Sequence, residues 1–149
     1  MRYYLAYGSN LNRGQMRRRC PDAKAVGTAW IENYELLFKG SGSGAYLTIE
    51  KKKGARVPVA VWQVSERDEE NLDVYEGCPR FYYKKPMKIR LNGTIKDLNA
   101  FVYIMHEDRD LGIPSRFYME TCEQGYRNFL FDVSYLWGAF FKTRERITA

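Results

Sequence analysis

Segments with strand character follow one another along this chain instead of alternating with helices, and no other feature restricts its fold as tightly. Residues 2–7, RYYLAY, are aromatic and apolar without helical spacing and predict a first strand. Residues 25–40 alternate loosely and predict one or two more. Residues 45–54 and 56–65 read as a hairpin around KKKG, its second arm alternating and valine-rich. A second hairpin is expected over residues 80–107, with Asn92-Gly93 as the turn signal. The helices stand apart from these runs. A short one is predicted over residues 11–19, capped by Asn10 or Asn12 and closed by Pro21. Another follows Ser65, with acids in the first turns, where the helix dipole favours them, and Gly77 at its end. Two more are expected from Pro114 onward, with Gly125 near the break between them. The stretch GSGSGAY, residues 40–46, reads as a flexible loop too short to separate domains. Clustered strands without strict βαβ order predict an α+β fold with a mostly antiparallel sheet and three to four packed helices. At 149 residues, one domain over the whole chain is expected.

Composition narrows the function classes. A chain 45% hydrophobic and 28% charged is folded, not disordered. Twelve tyrosines exceed what a core of this size needs, and a ring with a polar tip suits a lined pocket as well as a core rim. No apolar run approaches the roughly 20 residues of a membrane span, and the short apolar start lacks a signal-peptide pattern, so no membrane partner is expected. Cys20, Cys78 and Cys122 show no paired spacing, and with a single histidine, His106, neither a disulfide framework nor a metal site is expected. This predicts a reducing, cytoplasmic location. The net charge of +6 raises the question of nucleic acid, but the basic runs are not interleaved with aromatic residues as a base-stacking surface would be, so no nucleic-acid partner is expected.

Two short stretches carry candidate chemistry. In AYGSN, residues 6–10, Gly8 admits backbone conformations closed to other residues and lets a ligand approach the main chain. Consecutive N–H groups there, at the start of a helix, form an anion-binding concavity; the same turn is also ordinary strand-to-helix punctuation. In LDVYEGCPRFYY, Glu76 precedes the glycine that ends a helix. The negative end of the dipole disfavours its charge, and burial among Tyr75, Phe81 and Tyr82 would raise its pKa further, as a general base requires. Alternatively it is a solvent-facing glutamate at a frayed end. Asp73 shares a helix face with Glu76 and could pair with it, and Cys78 with His106 could form a thiol–imidazole pair. GSGSG lacks the lysine and following helix of a phosphate loop.

Together, YLAYGSNL, LDVYEGCPRFY, AFVYIM and PSRFYMETCEQGYRN, in that order, resemble the gamma-glutamylcyclotransferase family with its AIG2-like proteins, over most of the chain from Tyr3 to Asn128. The resemblance implies a partly closed, mostly antiparallel β-barrel. It also implies release of 5-oxoproline and a free amine from a small gamma-glutamyl amine or peptide, without metal or organic cofactor. By position, Glu76 would be the general acid/base, and the turn Tyr4, Leu5, Ala6, Tyr7, Gly8, Ser9 and Asn10 would bind substrate. Tyr118, Tyr82 and Tyr103 match pocket tyrosines, with Tyr83 as the alternative register for Tyr82. The loops 40–45 and 107–113 are expected to border the leaving-group side. A non-catalytic small-molecule binding domain of the same fold is the alternative reading. The resemblance leaves the leaving amine and the oligomeric state open, and the end of the chain from Asp132 carries no assigned motif.

Overall fold

In the computed structural model, which describes residues 1–41 and 44–149, the lysine-rich stretch before Gly54 does not turn the chain back. Residues 45–54 and 56–65 are halves of one long strand, β3 (Gly44–Val64), paired antiparallel with the equally continuous β2 (Lys24–Ser41). The expected hairpin is corrected to a bulge. Between Glu32↔Arg56 and Tyr34↔Lys51, Asn33 alone faces four residues of β3. Asn33 (φ 63°) and Gly54 (φ 85°) both take left-handed backbone, and the Asn33 side chain accepts the Gly54 N–H at 3.0 Å. Both residue types tolerate that conformation, which is why a turn-like sequence can sit inside a strand. The glycine-serine loop is correspondingly shorter, since Gly40, Ser41 and Gly44 belong to strands; its centre, Gly42-Ser43, lies outside the described residues.

The other strands are β1 (Arg2–Ala6), β4 (Tyr82–Arg90), β5 (Asp97–Met105) and the short β6 (Asp110–Leu111). They form one sheet in the order β4-β5-β1-β3-β2-β6. Every pairing is antiparallel except β1 with β5. The sheet is therefore mixed but mostly antiparallel, and it curls: Leu91, just beyond β4, bridges Ala29 on β2. Gly93 (φ 77°) turns the β4–β5 hairpin where Asn-Gly announced it. Pro86 is tolerated because β4 is an edge strand.

Four helices pack on this frame. Asn12 caps α1 (Arg13–Arg19) by accepting the Gln15 N–H, and residues 9–11 form a separate 3-10 turn instead of the start of that helix. Ser65 and Asp68 form a capping box on α2 (Glu66–Tyr75). Helix α3 (Arg116–Asn128) starts at the Ser115 cap, and Gly125 lies within it rather than at its break, correcting the expectation. A Cβ at Gly125 would stand 2.5 Å from Leu11 Cβ and 2.7 Å from Asn12 N, so glycine is there to let α3 lie against the turn after β1. Helix α4 (Ser134–Thr148) packs on β2, where Thr143 Oγ1 accepts the Phe38 N–H and Glu35 pairs with Lys142 and Arg146.

Candidate active site

Glu76 is held in place by the way α2 ends. Gly77 takes left-handed backbone (φ 60°), its N–H reaches Val74 O at 3.1 Å, and the Cys78 N–H reaches Asp73 O at 2.9 Å. These two bonds form a Schellman motif, and they fix the backbone of Glu76 as the C-cap of the helix. The side chain turns toward the end of β1. There the chain leaves the sheet at Tyr7 and enters the 3-10 turn Ser9–Leu11, closed by Leu11 N–H to Gly8 O and Asn12 N–H to Ser9 O, both 3.0 Å. As the first donors of a helical turn, the Ser9 and Asn10 N–H groups have no acceptor within it.

Between these two features lies a cavity of about 470 Å³. Glu76 lines it together with Tyr4, Leu5, Tyr7, Gly8, Ser9, Asn10, Tyr82, Tyr103 and Tyr118. Of the sequence candidates, Ala6, Asp73, Cys78, Tyr83 and His106 do not line it; the Ala6 side chain is buried in the core beside the site. Strand alternation settles the register of the β4 tyrosines. Tyr82 faces the cavity, and Tyr83 points away to donate to Glu107 at 2.6 Å. None of residues 107–113 lines the cavity; Asp110 and Leu111 pair with Gly40 and Lys39 of β2, and Arg109 lies over Phe81, a lining residue.

The tyrosine hydroxyls form a frame. Tyr82 Oη donates to Leu47 O at 2.8 Å and Tyr118 Oη accepts the Leu47 N–H at 3.1 Å, satisfying a stretch of β3 edge that no strand covers. Tyr7 Oη donates to Tyr103 O at 2.6 Å, and Tyr103 Oη to Asp73 Oδ1 at 2.5 Å. Burial pushes the Tyr4, Tyr7, Tyr82 and Tyr118 phenols well above their usual range, so they stay neutral. Asp73 is committed to Tyr103 and to Lys84 at 2.9 Å and is not a partner of Glu76. His106 Nε2 lies 2.7 Å from Pro79 O and its ring meets Tyr83 at a tilt, and among the described hydrogen bonds none joins it to Cys78.

Gly8 has φ −124° and ψ −131°, outside the left-handed region and outside the ordinary α and β regions. Proximity also constrains it: a Cβ there would stand 3.1 Å from Tyr118 Oη and 3.5 Å from Leu47 Cβ. Asn10 Nδ2 donates to Tyr4 Oη at 3.0 Å and approaches Glu76 Oε1 at 3.4 Å. Withdrawal from solvent raises the Glu76 pKa to about 7, against the opposing pull of Arg19. The carboxyl can therefore hold or release a proton near neutrality, beside tyrosines that stay uncharged. Sequence reading missed Gln15 and Arg19, which also line the cavity. Their i, i+4 spacing on α1 was the available signal, hidden in a run of exposed arginines. Among the described residues, no group of three or more His, Cys, Asp and Glu side chains is placed to hold a metal.

The curled α+β sheet, with its first strand ending in a glycine turn, has counterparts of the same fold among solved structures. A solved gamma-glutamyl cyclotransferase superposes with TM-score 0.81 at 23% identity, covering 96% of this chain and 86% of its own. An uncharacterised protein from Homo sapiens does so with TM-score 0.80 at 24% identity, covering 95% and 85%. At these identities the likeness is one of fold. The chain belongs to the gamma-glutamyl cyclotransferase, AIG2-like family, whose profile matches residues 4–120. A gamma-glutamylaminecyclotransferase from Bos taurus is 33% identical over 73 residues, 49% of this chain; the match spans less than half of that relative, 44%.

Proposed function

We propose that this protein, acting as a single domain over residues 1–149, is a gamma-glutamyl cyclotransferase that splits a gamma-glutamyl amine or peptide into 5-oxoproline and a free amine. The observation that carries the reading is Glu76, with a pKa of about 7, in a tyrosine-walled cavity beside the Gly8–Asn10 turn. The nucleophile belongs to the substrate. Its α-amine attacks its own γ-carbonyl, forming the lactam C–N bond of a five-membered ring and breaking the bond to the departing amine. An α-amino group with pKa near 8 is mostly protonated at pH 7. Glu76 takes that proton, and the neutral amine closes on the carbonyl. The same carboxyl passes that proton, and then the second one shed by the ring nitrogen, to the leaving nitrogen, so the amine departs as an ammonium ion and the enzyme ends each cycle unchanged.

Holding the glutamyl chain folded supplies proximity, which in favourable cases is worth about 7–11 kcal/mol. The first amides of the turn after Gly8 hold the substrate carboxylate or the developing oxyanion, as preorganised donors do. The neutral phenols of Tyr4, Tyr82, Tyr103 and Tyr118 exclude water and bind the glutamyl chain. No nucleophilic side chain or cofactor enters these steps. The relative from Bos taurus bears the name gamma-glutamylaminecyclotransferase, which supports an amine as the leaving group. The free thiols of Cys20, Cys78 and Cys122 agree with a reducing, cytoplasmic location, and no described helix is long and apolar enough to cross a membrane. The test is incubation with a panel of gamma-glutamyl amines, amino acids and isopeptides, followed by assay of 5-oxoproline. Release from at least one compound is expected; binding without release across the panel would favour a binding domain instead.

A further inference from the structure

We propose that Arg19 is a positioning residue for Glu76, acting through Asn10: with Gln15 it dictates which way the Asn10 amide points and hence which atoms meet the Glu76 carboxylate. The inference rests on the reading of Glu76 as proton carrier. A side-chain amide presents an acceptor oxygen and a donor nitrogen of nearly the same shape, so only its partners choose the orientation. Here the choice comes from α1. Gln15 and Arg19, one helical turn apart, both donate to Asn10 Oδ1, at 3.1 and 3.0 Å, filling both of its lone pairs. Gln15 Nε2 also donates to Ser9 Oγ at 2.8 Å, tying the same face to the turn. Asn10 Nδ2 is thereby turned toward Tyr4 Oη and Glu76 Oε1.

The reversed amide would be opposed at both ends. It would set an NH2 group against the guanidinium, which has no acceptor, and an oxygen against the carboxylate. The Arg19 guanidinium lies over the Tyr75 ring, 4.4 Å from its centre, and among the described residues it has no carboxylate ion-pair partner. Its charge therefore acts inward, on Asn10 and Glu76. The other titratable groups around Glu76 come from every neighbouring element: Tyr4 and Tyr7 from the β1 end, Tyr82 from β4, Tyr103 from β5, Tyr118 from α3, and Cys78 beyond α2. All are raised, chiefly by burial, and so stay neutral. Asp73 and Glu69 share Lys84, and Arg2 on Glu69 completes the balance of that cluster. Arg19 is left as the cation that opposes the upward drift of the Glu76 carboxyl.

The experiment is a 13C titration of glutamate side-chain carboxyls in the full chain, with the Glu76 signal assigned from its absence in Glu76→Gln. It compares wild type with Arg19→Met and with Arg19→Gln, which keeps a donor for Asn10 but no charge. The Glu76 midpoint is expected to rise above the wild-type value of about 7 in both variants. In kinetics, both should lose activity most steeply below that midpoint, through kcat rather than KM. Arg19→Gln should stay closer to wild type than Arg19→Met above it, because the amide orientation is retained. An unmoved midpoint in both variants overturns the proposal. So does a raised KM with an unchanged pH profile, which would make Arg19 a substrate contact. The titration reads Glu76 whether or not Glu76 is the proton carrier, so it separates failure of this inference from failure of that reading, which full activity in Glu76→Gln would reveal.

Discussion

At the residue scale, Glu76 ties stability to pH through its raised pKa. Its ordinary carboxyl pKa is 4.5 and its folded value about 7, so between those values the native state binds the extra proton. Stability is then lost as pH rises from about 4.5 toward 7, and the full penalty persists above 7. Glu76→Gln removes the charge and keeps the shape. It should melt higher than wild type at pH 8, by on the order of 1–3 kcal/mol, with the gap closing by pH 4.5, as thermal melts at the two pH values would register. An identical melt at pH 8 would mean the carboxylate carries no burial penalty. Gly8 answers to a different constraint. Gly8→Ala would set a methyl group 3.1 Å from Tyr118 Oη, so that the hydroxyl, which accepts the Leu47 N–H, must give way by a few tenths of an ångström. Steady-state kinetics should show kcat/KM down by roughly tenfold or more, about 1.4 kcal/mol of transition-state stabilisation, while the melt shifts little. Turnover equal to wild type would show that the turn does not need the space.

At the scale of elements, the site depends on three pieces arriving together: the β1 end, the C-terminus of α2 and the packing of α3. Gly125 is the joint for the third. Gly125→Ala would drive a Cβ into Leu11 and Asn12, at the end of the turn that lines the cavity, with backbone among the atoms it meets. It should destabilise by about 1–3 kcal/mol or more in denaturant unfolding. Part of the activity should go with it, because relief requires moving the turn. Local chemistry made some of these elements legible: the Ser65 capping box, the Asn-Gly hairpin and the abrupt stop after Tyr7 each have short-range causes. Gly54 and Gly125 were misread for one reason. A glycine in sequence announces that something unusual happens there, but whether it is a turn, a bulge or a helix crossing depends on a partner far away in the chain. For Gly54 the partner is Asn33, and for Gly125 it is Leu11. Gln15 and Arg19 were illegible for a similar reason, because Asn10 is an internal acceptor only after α1 folds back on the turn.

At the scale of the whole molecule, the curled sheet brings residues from positions 4 to 121 to one cavity, and this range nearly coincides with the family match over residues 4–120. Helix α4 lies beyond that match and packs on β2 away from the cavity, which explains why its sequence carried no motif. The barrel closure and the tyrosine frame were implied by resemblance, not by periodicity, because both depend on long-range contacts such as Leu91 with Ala29 and Tyr82 with Leu47. The central claim is that one carboxyl moves both protons of a cyclisation whose nucleophile the substrate brings. It is tested most directly by 5-oxoproline release from a gamma-glutamyl amine that the wild type turns over, measured across pH 5 to 9 for wild type and Glu76→Gln. The account predicts that wild-type kcat/KM rises with pH through about 7, as Glu76 gives up its proton, and that Glu76→Gln, still folded, loses about 100-fold or more at every pH. A folded Glu76→Gln that turns over at the wild-type rate would contradict it.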